Sequence, residues 1–168
     1  MKKYLVMLAV LLSYEAQSQV IYVVRHAEKA TVAADAPARE KANPNLSEQG
    51  LARAQKLGEL LKDIKFEQIW STGYLRTQQT VTPLATANQV PIQVYHPHPD
   101  STRAFVLKLA SSLRGTAIIA GHSNTVDDIV NIIAGQQLIE GDLDESVYDN
   151  LFILRKEGEK FVFELRKY

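Results

Sequence analysis

The feature that most constrains the fold is the run of five apolar residues from Val20 to Val24, which ends abruptly at Arg25 and His26. Its β-branched composition and lack of polar alternation are typical of a strand buried on both faces of a parallel sheet. Open α/β sheets bind ligands at the carboxyl ends of their strands. A cation and an imidazole at this point therefore indicate a candidate functional site at the end of a central strand.

Strand-like and helix-like patterns alternate along most of the chain. We predict buried or half-buried strands at residues 20–24, 66–70, 90–95 and 116–120. Helical patterns begin near residues 47, 74, 101 and 125. Two alternating runs around Glu157-Gly158 predict a hairpin at the end of the chain. The pattern predicts an α/β fold, a three-layer α/β/α sandwich with a mostly parallel sheet and a C-terminal antiparallel hairpin.

Several element boundaries depend on single residues. Ser47 is expected to cap the first helix, and Ser101 or Thr102 the third. Pro83 predicts a kink or a break in the second helix, because proline lacks the backbone donor. Surface loops are predicted at residues 31–45 and 96–100, and a turn at residues 149–150.

The N-terminal residues differ in composition from the rest of the chain. Lys2 and Lys3 precede an apolar stretch from Tyr4 to Leu12, which is too short to span a bilayer as a helix. Small residues follow at positions 16 and 18. This pattern predicts a secretory signal peptide over residues 1–18 and one domain over residues 19–168, and hence a secreted or periplasmic protein without stable membrane insertion after cleavage. An N-terminal anchor and a core helix are the alternatives.

Composition narrows the classes of function. The 168 residues include 19 basic and 19 acidic side chains, so the formal net charge is zero. The sequence therefore lacks the net positive charge that would favour nucleic acid as a partner. The chain contains no cysteine. Cysteine nucleophiles, cysteine-ligated zinc and iron–sulfur clusters are therefore excluded, and no cofactor is expected.

Two arginines and two histidines follow the carboxyl ends of predicted strands. Arg25 and His26 end the first strand, Arg76 follows the second, and His122 follows the fourth. Right-handed crossovers place the carboxyl ends of parallel strands along one edge of a sheet. We therefore expect these side chains to meet in one cleft.

Two arginines and two histidines in a cleft are suited to phosphoryl chemistry. Arginine binds phosphoryl oxygens through a planar fork of donors. A neutral imidazole can attack phosphorus if its other nitrogen is held by a hydrogen bond, and a protonated second imidazole would add positive charge. Free N–H groups near Asn124 and Thr125, at a predicted helix start, also favour an anion. No metal ion is required by this arrangement.

Four ordered segments resemble motifs of the histidine phosphatase superfamily, which has the phosphoglycerate mutase-like fold. They are Val23-Val24-Arg25-His26-Ala27-Glu28, Asn45-Leu46-Ser47-Glu48-Gln49-Gly50, the segment from Ser71 to Thr80, and Ala120-Gly121-His122-Ser123-Asn124. The resemblance implies that His26 is the nucleophile and becomes phosphohistidine. It further implies that Arg25, Arg76 and His122 hold the phosphoryl group of a small phosphorylated substrate, before water hydrolyses the intermediate.

The sequence departs from the family pattern in two places. Ala27 replaces the usual glycine, and Ser123 follows the second histidine where one branch of the family has an acid. No clear general acid is present in the segment before His122. Glu28 and Asp100 are the candidates for that role.

Three other functions remain open from the sequence. The same pocket could bind a phosphate or sulfate ligand without turnover, or transfer the phosphoryl group as a mutase does. A metal-dependent hydrolase could instead use the four histidines, His26, His96, His98 and His122. The segment Tyr148-Asp149-Asn150 is interpreted mainly as a turn, with a lesser chance of touching the pocket. The physiological substrate and the oligomeric state are not determined by these patterns.

Overall fold

A six-stranded sheet forms the centre of the protein in a computed structural model that describes residues 19–168. The predicted signal peptide lies outside these residues. The strands are β1 (Val20–Arg25), β2 (Gln68–Ser71), β3 (Ile92–Val94), β4 (Thr116–Gly121), β5 (Asn150–Glu157) and β6 (Lys160–Lys167). Their order across the sheet is β3-β2-β4-β1-β5-β6.

The direction of pairing changes once across the sheet. Strands β3, β2, β4 and β1 are parallel to their neighbours, whereas β5 runs antiparallel to β1 and β6 antiparallel to β5. The last two strands form a hairpin, and Gly158 takes a positive φ of 61° in its turn. This confirms the predicted mostly parallel sheet with a C-terminal antiparallel hairpin.

Helices cover both faces of the sheet. They are α1 (Ala38–Ala42), α2 (Glu48–Leu60), α3 (Leu75–Asn88), α4 (Pro99–Ser112) and α5 (Val126–Ala134). One core cluster joins the sheet to α2 and α3, and the other joins it to α4 and α5. These are the three layers that the sequence predicted. None of the helices among residues 19–168 is long and apolar enough to cross a membrane.

Strand β1 supplies side chains to both cores. Val20, Tyr22 and Val24 belong to the cluster under α2 and α3. Ile21 and Val23 belong to the cluster under α4 and α5 and have no exposed surface. Because successive residues of a strand point to opposite faces, a strand covered on both sides must be apolar at every position.

Four boundaries differ from the sequence prediction. The predicted loop at residues 31–45 contains the short helix α1, and α3 continues through Pro83, so the alternative of a break is wrong and the alternative of a kink stays a prediction. At Pro83, α3 lies very close to α2. A β-carbon added to Gly58 of α2 would be 2.9 Å from Pro83 Cβ. Tertiary packing against α2 therefore supports the helix that the proline weakens.

The other two differences concern the start of an element. Helix α4 begins at Pro99 with His98 as its N-cap residue, so Ser101 and Thr102 lie inside the helix instead of capping it. Proline suits the first helical position because its missing N–H would have no partner there. Asn150 begins β5 and is not part of a turn.

The start of α2 is attached to the chain that follows β1. The Ser47 side chain accepts a hydrogen bond from the Gly50 amide, which confirms the predicted cap, and the Ser47 amide donates to the Glu28 carbonyl at 2.9 Å. A β-carbon on Gly50 would lie 2.2 Å from that carbonyl oxygen. Only glycine permits this close approach, which fixes the segment directly after His26.

We expect Gly50→Ala to lower the free energy of unfolding by about 1–3 kcal/mol, because the methyl group would displace the Glu28 backbone. Alanine is otherwise the better helix former by about 1 kcal/mol, so the sign of the effect tests the contact. Urea denaturation would measure it. Gly73→Ala is the control, since a β-carbon there meets only Val94 Cγ1 at 3.9 Å. Equal stability of the two variants would contradict the contact.

Candidate active site

The register of three parallel strands brings the predicted site residues together. Arg25 at the end of β1 is paired with Gly121 of β4, and Ser71 of β2 is paired with Ala120. The His26 amide donates to the Gly121 carbonyl at 2.9 Å. The residues that follow all three strands therefore emerge side by side at one edge of the sheet.

An open, polar pocket of about 280 Å³ lies at this edge. Three of the four predicted residues line it, namely His26, Arg76 and His122. The rings of His26 and His122 lie edge to face, with their centroids 5.4 Å apart. The remaining lining residues are Lys29, Tyr74, Pro97, Ser123, Asn124, Thr125 and Glu145.

His26 has a defined tautomer. Its Nδ1 lies 2.7 Å from the carbonyl oxygen of Ala27, which can only accept a hydrogen bond, so Nδ1 carries the proton. Among residues 19–168, no group hydrogen-bonds to Nε2. Burial, together with the charges of Arg76, Arg25 and Lys29, lowers the pKa of His26 to about 4. His26 is therefore neutral at pH 7, with the Nε2 lone pair available.

His122 is fixed by a buried chain of hydroxyl groups. The Thr77 hydroxyl donates to the Tyr74 carbonyl at 2.8 Å, the Thr72 and Thr77 oxygens are 2.8 Å apart, and Thr72 Oγ1 lies 3.0 Å from His122 Nε2. Giving each hydroxyl one proton makes Thr72 the donor to Thr77 and His122 Nε2–H the donor to Thr72. Burial, followed by the neighbouring His26, lowers the pKa of His122 to about 3. The second imidazole is thus neutral in the protein alone, and not protonated.

Arg76 is a cation without an anionic partner in the described part of the chain. Its Nε is buried and makes no hydrogen bond, and its Cζ lies 4.4 Å from the centroid of the Tyr74 ring. Burial lowers the pKa of Arg76, although a guanidinium remains charged at any physiological pH. A half-buried guanidinium that lines a pocket and lacks a carboxylate is suited to binding an anion there.

Arg25 lies behind the pocket and does not line it. Its Nη1 donates to the carbonyls of Asp144 and Val147 at 2.9 and 3.1 Å, and its Nη2 donates to Glu145 at 2.7 Å. The Tyr148 ring covers the guanidinium, with its centroid 4.2 Å from Cζ. The resemblance implies that Arg25 holds the phosphoryl group, which stays a prediction, and in the structure its guanidinium holds the segment before β5.

Glu145 is the pocket residue that sequence reasoning missed. Its carboxylate accepts hydrogen bonds from the Ser123 hydroxyl and from Arg25, and its side chain is 75% exposed. The Ser123 hydrogen bond and the charge of Arg25 hold the pKa of Glu145 below its usual range. The pocket therefore contains an ionised carboxylate. Glu145 follows Asp142 and Asp144 in an irregular acidic segment, and no spacing pattern distinguishes it from them.

Neither of the predicted acid candidates lines the pocket. The Glu28 carboxylate accepts hydrogen bonds from Arg53 Nε at 2.9 Å and from Arg53 Nη2 at 2.6 Å. Burial alone would raise the pKa of Glu28, but the pairing with Arg53 lowers it below its usual value. Asp100 lies in the exposed first turn of α4. Tyr148, by contrast, does reach the site, since its ring centroid is 6.1 Å from that of His26.

Two side chains of α3 tie the sequence motifs to one another. Thr80 Oγ1 accepts from the Ala27 amide at 2.9 Å and donates to the Arg76 carbonyl at 2.7 Å. Gln79 accepts from the Leu46 amide and donates to Asn45, both at 2.8 Å. The helix that carries Arg76 is thereby fixed to the segments after His26 and before α2.

Two backbone amides after His122 are free to bind an anion. The amides of Ser123 and Asn124 have no partner among residues 19–168, whereas the Thr125 amide donates to the His122 carbonyl and is not free, contrary to expectation.

The two remaining histidines lie away from the site. His96 and His98 are exposed and do not line this pocket. Among residues 19–168, no three histidine or acidic side chains are grouped to hold a metal ion.

One family model matches part of this chain. The model of the histidine phosphatase superfamily (branch 1) matches residues 21–96, which include His26 and Arg76. No curated protein sequence matches the chain significantly.

Solved structures share the fold at low sequence identity. The protein histidine phosphatase SixA, complexed with tungstate, aligns with a TM-score of 0.67 and 14% identity over 88% of this chain and 96% of that one. The mycobacterial glucosyl-3-phosphoglycerate phosphatase aligns with a TM-score of 0.62 and 13% identity over 90% and 99%. A protein from Escherichia coli assigned as an α-ribazole-5′-phosphate phosphatase aligns with a TM-score of 0.66 and 12% identity, over 90% of this chain and 97% of that one.

The lowered pKa values of the two histidines predict a pH-dependent stability. The unfolded chain binds these protons near pH 6.5, whereas folded His26 and His122 bind them only near pH 4 and pH 3. The contribution of these two neutral histidines to the free energy of unfolding is therefore fully present above pH 6.5. It falls as the pH drops from 6.5 toward 4, by about 1.4 kcal/mol per pKa unit for each group.

Urea denaturation of the wild type, His26→Gln and His122→Asn between pH 7.5 and 4 would check this. We expect both variants to lose less stability than the wild type across that range. His98→Gln is the matched control, since that imidazole is exposed. The same pH slope in all four proteins would contradict the neutral, buried assignment.

Proposed function

The chain has the histidine phosphatase fold and matches the superfamily's sequence model, and we propose that it is a metal-independent phosphomonoester hydrolase that forms phosphohistidine at His26. The observation that carries this proposal is the pairing of a neutral imidazole of fixed tautomer with an unpartnered guanidinium in one pocket. An imidazole lone pair is a nucleophile, and a guanidinium stabilises the charge on a transferring phosphoryl group.

The reaction has two steps. In the first, His26 Nε2 attacks phosphorus, the P–N bond forms, the ester P–O bond breaks, and the leaving oxygen takes up a proton from solvent. In the second, water attacks the same phosphorus, the P–N bond breaks, one proton of the water passes to solvent, and inorganic phosphate leaves. Throughout, Nδ1–H remains bonded to the Ala27 carbonyl, so neutral His26 is regenerated in its starting tautomer.

The surroundings of His26 supply the charge stabilisation. Arg76 offers donors to phosphoryl oxygens, and the Ser123 and Asn124 amides offer further N–H groups. A bound dianion favours protonation of His122, since opposite charges at close range raise the pKa of an imidazole. The pKa of His122 is about 3 in the protein alone, so its protonation depends on the bound dianion.

A binding module without turnover is the competing function. Phosphate binding alone requires donors such as Arg76 and the two free amides. It does not require an imidazole with one nitrogen fixed by a carbonyl and the other left without a hydrogen bond in the pocket. The geometry of His26 favours hydrolysis. The basic and apolar N-terminal pattern supports placing this activity outside the cytoplasm.

The direct test is hydrolysis of p-nitrophenyl phosphate by the chain of residues 19–168, with and without EDTA. We expect turnover that survives EDTA and that falls by at least about a thousandfold in His26→Ala, because the nucleophile is lost. His98→Ala is the matched control and should retain full activity. Acid-labile ³²P on the quenched wild type, but not on His26→Ala, would identify the intermediate. Loss of activity in EDTA would instead favour the metal-dependent hydrolase.

Glu145 is proposed to compete with the phosphoryl group for the pocket. Its carboxylate is the anion that now accepts from Arg25 and Ser123, and it lies on the pocket wall. A phosphoryl dianion that binds between His26 and Arg76 is repelled by this carboxylate and attracted by the Ser123 hydroxyl that the carboxylate occupies. Glu145 thereby weakens binding of the product phosphate and favours its release.

We expect Glu145→Gln to bind inorganic phosphate about tenfold more tightly than the wild type, because one negative charge is removed from the pocket while its hydrogen-bonding shape is kept. Competitive inhibition of p-nitrophenyl phosphate hydrolysis would measure this constant. Asp142→Gln removes a charge from the same segment outside the pocket lining and serves as the control. Weaker phosphate binding by Glu145→Gln would show that the carboxylate assists the anion.

A further inference from the structure

We propose that the alcohol part of the substrate is apolar and that it binds in a groove next to the catalytic pocket, so that the preferred substrates are aryl or similarly apolar phosphate monoesters. This inference rests on the proposed phosphatase function. We call the surface the Val94 groove. It has a volume of about 470 Å³ and is lined by Asn43, Gly73, Tyr74, Val94, Tyr95, His96 and Pro97.

The Val94 groove adjoins the catalytic pocket. Tyr74 and Pro97 line both cavities. Val94 ends β3 and is paired with Ser71 of β2, so the groove lies at the same sheet edge as His26 and His122. An alcohol part that extends from the catalytic pocket past Tyr74 and Pro97 would therefore lie in the groove.

The catalytic pocket suits the phosphoryl group of the substrate. Its wall is polar and carries Lys29, Arg76 and Glu145. Burying an apolar group against such a wall is unfavourable, so an apolar alcohol part is favoured in a less polar depression that adjoins the pocket.

The lining of the Val94 groove favours an apolar occupant. It contains no lysine, arginine, aspartate or glutamate, and the Val94 side chain is 58% exposed at its wall. Covering such a side chain with an apolar group removes both surfaces from water, which is favourable by about 25 cal/mol for each Å². Gly73 leaves room beside Val94, since a β-carbon there would already contact Val94 Cγ1 at 3.9 Å.

A second depression also adjoins the pocket and has the opposite character. Lys29, Lys41 and Arg76 line it, together with residues 30–32, 42 and 44. A polar or anionic alcohol would enter this cationic depression and gain nothing from Val94. The two depressions thus predict different substrate classes, and the exposed apolar wall next to Tyr74 favours the aryl class.

The test compares phenyl phosphate with 2-naphthyl phosphate, whose leaving groups have similar acidity but differ by one fused ring. We expect kcat/KM of the wild type to favour the naphthyl ester roughly tenfold, from the additional apolar area buried. Val94→Asp should bring this ratio close to one, because a carboxylate at the wall of the Val94 groove opposes burial of the second ring.

Two further variants guard against indirect effects. Val162→Asp changes a comparably exposed valine, 47% exposed on β6, and should keep the wild-type ratio. Gly73→Val fills the groove without adding charge and should also lower the ratio, with circular dichroism and a thermal midpoint confirming that each variant is folded. A wild-type ratio near one, or a ratio that Val94→Asp leaves unchanged, would overturn the proposal.

Failure of the phosphatase function would be distinguishable from failure of the groove. A folded wild type that hydrolyses neither ester would contradict the proposed hydrolase. Calorimetric titration with benzylphosphonate and 1-naphthylmethylphosphonate would then still measure the groove, since these probes need no turnover. Tighter binding of the naphthyl probe, lost in Val94→Asp, would support the apolar groove, whereas equal binding of both probes would refute it.

Discussion

The site depends on the parallel register of three adjacent strands. Because β1 and β2 both pair with β4, the chain leaves all three strands at the same edge of the sheet. The hydrogen bond from the His26 amide to the Gly121 carbonyl extends this register by one residue past β1. The two imidazoles meet because backbone hydrogen bonds fix these strand ends, with the hydroxyl chain from Thr72 orienting the second.

Burial at this edge determines the electrostatics. Arg25, His26 and His122 are each less than one-tenth exposed. Removing an imidazole from water next to guanidinium groups disfavours its charged form, so both histidines are neutral and one of them presents a free lone pair. The guanidinium groups cannot respond in this way, because they do not lose their charge. Arg25 is satisfied by carbonyls and Glu145, whereas Arg76 has no such partner among the described residues.

The same edge combines surfaces of different character within one contiguous region. A cationic depression and the apolar Val94 groove both adjoin the pocket that holds His26 and His122. A shared fold does not determine which ligand is bound, which depends on the side chains around the pocket.

The sequence by itself determined the layers, the strand directions and three of the pocket residues. Unbroken apolar strands, helical periodicity and the residues at strand ends are local patterns, and right-handed crossovers convert them into one sheet edge. Only the tertiary structure decided that Arg25 lies behind the pocket, that Glu145 lies in it and that α3 continues through Pro83. Each of these depends on contacts between residues distant in the chain: Arg25 and Glu145 are 120 residues apart, and no local pattern encodes such pairs.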